Sequence, residues 1–253
     1  MAAFDTIAPK KLLAKLECTG IKGLKWFSSY MSGRSQKVLW NDTMSESLPI
    51  TYGVPQGSIL GPTLFLVMVA DMPRYVIGKM KNKKMTGYAD DTTAYVYAKT
   101  VNEVKVKLER LSERMISYCD STGLVLNYDK TQLLVSPKQL CHIKMGDSLI
   151  SSSSELNILG IDFDSNFSTL PYLHKLAHAA KTRAALISRL SFSLPPHLLS
   201  MFANGLLMGK ILSACPVTIP VRLKDHERSL ISVTEEINKA IKSTAQTITK
   251  TKF

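Results

Sequence analysis

The chain has 253 residues, 45% hydrophobic and 21% charged, enough for one large or two small domains with a buried core, and reads as globular rather than disordered. A formal charge of +12 favours polyanionic partners, nucleic acid or an acidic membrane surface, although solubility alone also accounts for a basic surface. The longest apolar run, ILGPTLFLVMVA, falls short of the roughly 20 residues of a spanning helix, and no signal peptide precedes Lys10 and Lys11. An intracellular protein without a membrane span is therefore expected.

The charge is uneven. Residues 168–253 carry twelve Lys/Arg against four Asp/Glu, which places +8 of the excess in the last third. That pattern suggests an appendage gripping a phosphate backbone. Cys18, Cys119, Cys141 and Cys215 are scattered without CxxC spacing and read as buried, reduced thiols.

In chain order, residues 9–30 read as a helix begun by Pro9 and interrupted by Gly20 and Gly23. A hairpin is predicted around Val38–Trp40, with its turn at Asn41 and Asp42, leading into a Gly/Pro loop. Pro62 opens a helix apolar on nearly every side and so expected to be buried. KMTGYADDTTAYVYAK predicts a second hairpin with Asp90 and Asp91 at or beside its tip. Residues 101–122 form an amphipathic helix, with Val104, Leu108, Leu111, Met115 and Tyr118 on one stripe and Gly123 as its stop.

Short strands follow at LVLNY, TQLLVS, HIKMG and ELNILGIDFD, with the serine run 151–154 as a turn. From about residue 170 the pattern is helical, restarted at Pro195 and Pro196 and broken at Pro216 and Pro220. The tail KAIKSTAQTITKTKF is either a packing helix or a frayed end. The order predicts an α+β fold with a trailing helical subdomain.

Two adjacent carboxylates on a rigid tip suit Mg2+, a hard cation that takes oxygen ligands and keeps waters for substrate phosphates. Two such ions about 3.5–4 Å apart can clamp both oxygens of a phosphoryl transfer. Asp90 and Asp91 alone also fit a solvated turn. His174 and His178, four apart, lack a third ligand nearby in sequence, and the Cys141–His142 pair has no partner spacing.

The pair stands with YGVPQGSILGP at 52–62, LVLNYDKT at 124–131, AAFDTI, GIKGLKWFSSYMSGRSQKV and LGIDFDSNF. In that order and spacing, from residue 2 to about 190, these resemble the reverse transcriptase of non-LTR (LINE-type, Jockey-like) retrotransposons. The resemblance implies a right-hand polymerase palm over 1–165 and a basic, helical thumb-like region over 166–253, with the fingers missing. It implies RNA-directed DNA polymerase activity on an RNA template and DNA primer, using deoxynucleoside triphosphates and two Mg2+ ions.

Residue by residue, it makes Asp90 and Asp91 the catalytic metal-binding pair, Asp90 the more direct ligand. Gln56, Gly57 and Tyr88 fall to the nucleotide, and Phe4 is the ring against which the sugar packs. Lys130 matches a proton donor to the leaving pyrophosphate, with phosphate neutralisation or plain solvation as other readings. Arg34, Lys37, Lys181 and Arg183 are candidate nucleic-acid contacts, with surface solvation as the alternative, and Asn127 reads as a structural turn residue. The family's first catalytic aspartate lies five positions before the aromatic, so it would fall ahead of Met1. The expectation is a truncated domain with little or no nucleotide transfer by itself, or a nucleic-acid-binding remnant.

Overall fold

The computed structural model describes residues 3–55, 57–78, 82–218 and 227–250. They form two compact units, residues 1–131 with 141–151, and residues 132–140 with 152–253. No described helix is long and apolar enough to cross a membrane.

The first unit opens with α1 (Pro9–Cys18) and α2 (Leu24–Met31), separated where Gly20 and Gly23 take left-handed φ of 76° and 84°. Next comes a ribbon in which β1 (Ser35–Gln36) pairs with β4 (Leu48–Pro49), and β2 (Leu39–Trp40) with β3 (Thr43–Met44). Asn41 and Asp42, with φ of 44° and 59°, make its primed turn, as the sequence predicts.

Helix α3 (Gly61–Val69) has Pro in its first turn, and α4 (Met72–Ile77) follows at once. Leu64, Phe65 and Met68 join Leu12, Leu16, Met31 and Val54 in the core, but Leu66 is 57% exposed. The helix is thus not buried all round, because α1 covers one side of it.

Strands β5 (Lys83–Tyr88) and β6 (Asp91–Val96) form the second hairpin. Helix α5 (Val101–Thr122) begins on Thr100, whose hydroxyl accepts the Glu103 N–H, and ends on Gly123 with φ 81°. Its buried side presents Leu111, Met115, Tyr118 and Cys119.

One polar junction lies inside this unit. The Lys15 ammonium donates to Asp71 Oδ1 (2.5 Å), the Met68 carbonyl (2.5 Å) and the Tyr118 hydroxyl (2.8 Å). The Tyr118 hydroxyl lies 2.6 Å from Asp71 Oδ1 and 2.9 Å from the Met68 carbonyl. Burial opposes the Asp71 charge, yet the hydrogen bonds from Lys15 and Tyr118 outweigh it and hold the carboxyl below its ordinary value. Burial and the Asp71 contact push the Tyr118 phenol well above the usual range.

Strand β7 (Leu133–Leu134) follows in the second unit, and β8 (His142–Met145) in the first, where it pairs antiparallel with β9 (Ser148–Ser153) over residues 148–151. In the second unit Leu133 and Leu134 run parallel to Ser152 and Ser153. The serine run is therefore strand rather than turn, and its hydroxyls bond the Gln139 and Leu133 carbonyls. LVLNY is no strand either: Asn127 Oδ1 accepts the Lys130 N–H and caps a 3-10 turn at Tyr128–Lys130.

The second unit continues with a hairpin of β10 (Glu155–Ile158) and β11 (Ile161–Asp164), then α6 (Leu170–Leu190), α7 (Pro196–Phe202), a π-helical turn (Ala203–Met208), α8 (Gly209–Thr218) and α9 (Glu227–Thr249). Helix α8 runs past Pro216, while Pro220 lies outside the described residues. The C-terminal tail does pack through residue 249: Val233, Ile237 and Ala240 of α9 share a core with Leu173, Leu176, Ala177 and Ala180 of α6. Cys119 and Cys141 are buried, but Cys18 is exposed.

Tyr118→Phe should lower the unfolding free energy by about 1 kcal/mol in a urea titration, because the hydroxyl that bonds Asp71 and the Lys15 ammonium is lost. The sign with pH also follows. A carboxyl depressed on folding stabilises above its unfolded value of 3.8 and loses that contribution as pH falls through the folded value. Asp71→Asn should therefore be less stable than the parent at neutral pH and show a shallower fall below about pH 4.

Candidate active site

The acidic tip is built by register. Tyr88 pairs with Asp91, which leaves Ala89 and Asp90 as a two-residue turn. Ala89 carries φ 50°, a left-handed conformation that costs an L-residue about 1–2 kcal/mol. Tyr88, Asp90 and Asp91 all reach solvent, with Tyr88 70% exposed. One outward face carries Lys84, Thr86, Tyr88, Asp91, Thr93 and Tyr95, while Met85, Ala94 and Val96 take the other. Two exposed carboxylates offer hard oxygen ligands to a divalent cation whose remaining shell is water or phosphate. Among the described residues, no three His, Cys, Asp or Glu side chains converge to hold a metal ion.

A second set gathers at the start of the chain. Phe4 stacks on Phe65 with centroids 4.6 Å apart and planes 28° from parallel. The Val54 N–H donates to the Phe4 carbonyl (3.0 Å) and the Gly53 N–H to the Ile7 carbonyl (2.8 Å), which seats the Gly/Pro loop against the opening segment. Gly53 has φ 83°, and a Cβ there would stand 2.9 Å from Asp5 Cα. Gly57 has φ 76° with nothing within 4 Å of an added Cβ, so its backbone faces open space. Ser58 organises the turn between them and α3, donating to the Pro55 carbonyl (2.6 Å) and accepting the Gly61 N–H (3.0 Å). Gln56 lies outside the described residues.

The Arg34 guanidinium donates to the carbonyls of Gly53 (2.5 Å) and Met31 (3.3 Å), so it braces this loop. Lys37 is exposed on the ribbon, and Lys130 is exposed on the Asn127-capped turn. In the second unit Lys181 pairs with Glu236 at 2.9 Å, and Arg183 donates to the Leu206 carbonyl at 2.7 Å. Both are tied to partners within their own helical unit. His174 and His178 are exposed on α6.

Residues 1–163, which hold the Asp pair on its hairpin, the loop seated on Phe4 and the capped Lys130 turn, match the profile of the reverse transcriptase (RNA-dependent DNA polymerase) family. The chain belongs to the reverse transcriptase family. It is 25% identical over 193 residues to the RNA-directed DNA polymerase from mobile element jockey of Drosophila melanogaster, covering 74% of this chain and 21% of that protein. Against the jockey polymerase of Drosophila funebris it is 27% identical over 188 residues, 72% of this chain and 20% of the relative. A third relative is the probable RNA-directed DNA polymerase from transposon BS of Drosophila melanogaster, 27% identical over 153 residues, 57% of this chain and 17% of that protein. The chain thus spans about a fifth of the length of the jockey relatives it matches. The expected kinship with reverse transcriptases of non-LTR retrotransposons is borne out.

Gly53 and Gly57 separate conformation from crowding. Gly57→Ala should cost about 1 kcal/mol, the left-handed penalty alone, whereas Gly53→Ala should cost 2 kcal/mol or more because its methyl also meets Asp5 backbone. Equal losses in thermal unfolding would contradict the tight seating of the loop.

Proposed function

We propose that residues 1–165 are the palm and 166–253 the thumb-like part of an RNA-directed DNA polymerase that extends a DNA primer on an RNA template with deoxynucleoside triphosphates, inside the cell. The carrying observation is the hairpin that sets Asp90 and Asp91 side by side at an exposed tip in a chain of this family. In this reading Asp90 and Asp91 hold Mg2+, which when bound supplies charge neutralisation for the phosphoryl transfer.

Phe4 keeps its ring flat on Phe65 as a floor for the sugar, and such a ring disfavours a 2′-hydroxyl. Gly57 lets backbone approach the nucleotide beside Gln56, and Tyr88 stands next to the acidic tip. Lys130 neutralises or protonates the leaving pyrophosphate. Arg34 serves mainly by holding the loop. Lys37, Lys181 and Arg183 stay in the proposal as backbone contacts, the last two only if they exchange their present partners for phosphate.

A two-ion site needs a carboxylate beyond the hairpin pair, and the described residues bring no third acidic or imidazole group to it. This 253-residue polypeptide alone is therefore expected to transfer nucleotides poorly or not at all. The same observation favours a second reading, a binding module in which the palm persists as scaffold.

Primer extension on a primed RNA template distinguishes them. The isolated chain should incorporate no more label than its Asp90→Asn variant, and incorporation that the variant loses would overturn the claim of impairment. Exchanged into the matching segment of the jockey polymerase, the chain should support synthesis that Asp90→Asn reduces about a hundredfold or more. A folded chimera that binds primed template but synthesises nothing would instead favour the binding module.

A further inference from the structure

Helix α2 turns one side to the core and leaves a large ring outside. Leu24, Phe27, Tyr30 and Met31 recur at spacings of three and four and meet the core of the first unit. Lys25, Trp26 and Ser29 are exposed, and at 3.6 residues per turn they share one outward arc of about 100°.

Trp26 is 55% exposed, yet its ring is held. It stacks on Tyr30, with centroids 5.4 Å apart and planes 9° from parallel, and Phe27 meets it edge-on at 5.1 Å. Tyr30 covers one face of the indole, and half-exposure of the residue matches an open opposite face. Positive charge adjoins the ring. Lys25 is its neighbour on the outward arc, and Lys22 is exposed just before the turn in which the Trp26 N–H donates to the Gly23 carbonyl (2.9 Å). From Cys18 to Asn41 the sequence holds Lys22, Lys25, Arg34 and Lys37 and no acidic residue. Among the described residues neither Lys22 nor Lys25 joins an ion pair.

An open indole face attracts a cation or another flat ring. Ammonium groups beside it repel a cation, and a simple anion would answer the lysines while leaving the ring bare. A nucleobase on the ring, with its phosphates toward the lysines, answers both. Bases within a duplex already stack on one another, so the partner is a single strand. We propose that the outward face of α2 docks single-stranded nucleic acid, one base stacking on Trp26 with Tyr30 behind it, and Lys22 and Lys25 meeting the flanking phosphates. The surface is independent of polymerisation at the acidic tip.

Trp40→Phe leaves Trp26 as the one tryptophan of the 253-residue chain, so selectively excited indole emission reports this face. Without nucleotide or divalent ion, oligo(dT) and oligo(U) should each quench that emission saturably, and a DNA duplex of equal length should not. Adding K22Q/K25Q, with an unchanged melting temperature, should weaken the strand about tenfold near 0.1 M salt and flatten the log–log salt dependence by about 1.4, two contacts at roughly 0.7 each. In the parent chain, anisotropy with labelled oligo(dT) should show Trp26→Ala weakening binding about tenfold and Trp26→Phe recovering most of the loss. No quenching by either strand, equal quenching by the duplex, or an unchanged slope in K22Q/K25Q would overturn the proposal. So would a blue shift of Trp26 on phosphatidylserine vesicles in a chain that the strands do not quench, which would make the face a membrane contact.

Discussion

A single carboxylate oxygen fixes the body on which the acidic hairpin rests. Lys15 from α1 and Tyr118 from α5 both reach Asp71 Oδ1, at the junction of α3 and α4. Three helices are tied at one polar point whose groups satisfy one another, and Tyr118, 2% exposed, can be buried only because its hydroxyl is bonded there. The hairpin is seated by α4 and α5 so placed: α4 packs beside β5, Lys83 donates to the Lys107 carbonyl, and Lys107 donates to the Tyr97 carbonyl just past β6.

The hairpin itself projects chemistry outward. Its core side is apolar at Met85, Ala94 and Val96, and its two-residue turn leaves Asp90 no place but the tip. Two carboxylates at that tip repel each other, and a left-handed alanine stands between them and Tyr88. Such an arrangement is costly as a mere turn and useful as the acidic part of a cation site. At its other end the hairpin opens with Lys83 and Lys84.

Much of this was legible in the sequence because it is local. Asn41–Asp42, Tyr88–Asp91 and Gly123 specify their turns and cap with short-range chemistry, and the stripe from Leu111 to Tyr118 carries a helical period. What the sequence concealed depends on distant partners. LVLNY has strand composition, yet Asn127 uses its side chain to close a 3-10 turn, and the serines after it pair as strand because backbone ladders override turn propensity. Asp71 takes its role from Lys15 and Tyr118, 56 and 47 residues away. Arg34 read as a phosphate contact, but the Gly53 carbonyl claims part of its guanidinium. Among the candidate site residues, the acidic pair was visible by its motif, while Gly53 and Ser58 gained meaning only once the loop was seen against Phe4 and α3.

The claim beneath the functional reading is that the hairpin pair supplies part of a two-ion site. Titrating Mn2+ into this polypeptide, followed by the electron paramagnetic resonance of the free ion, addresses it directly. One weak site, removed by Asp90→Asn, is the predicted result. Two tight sites in the same polypeptide, or a site indifferent to that substitution, would contradict it.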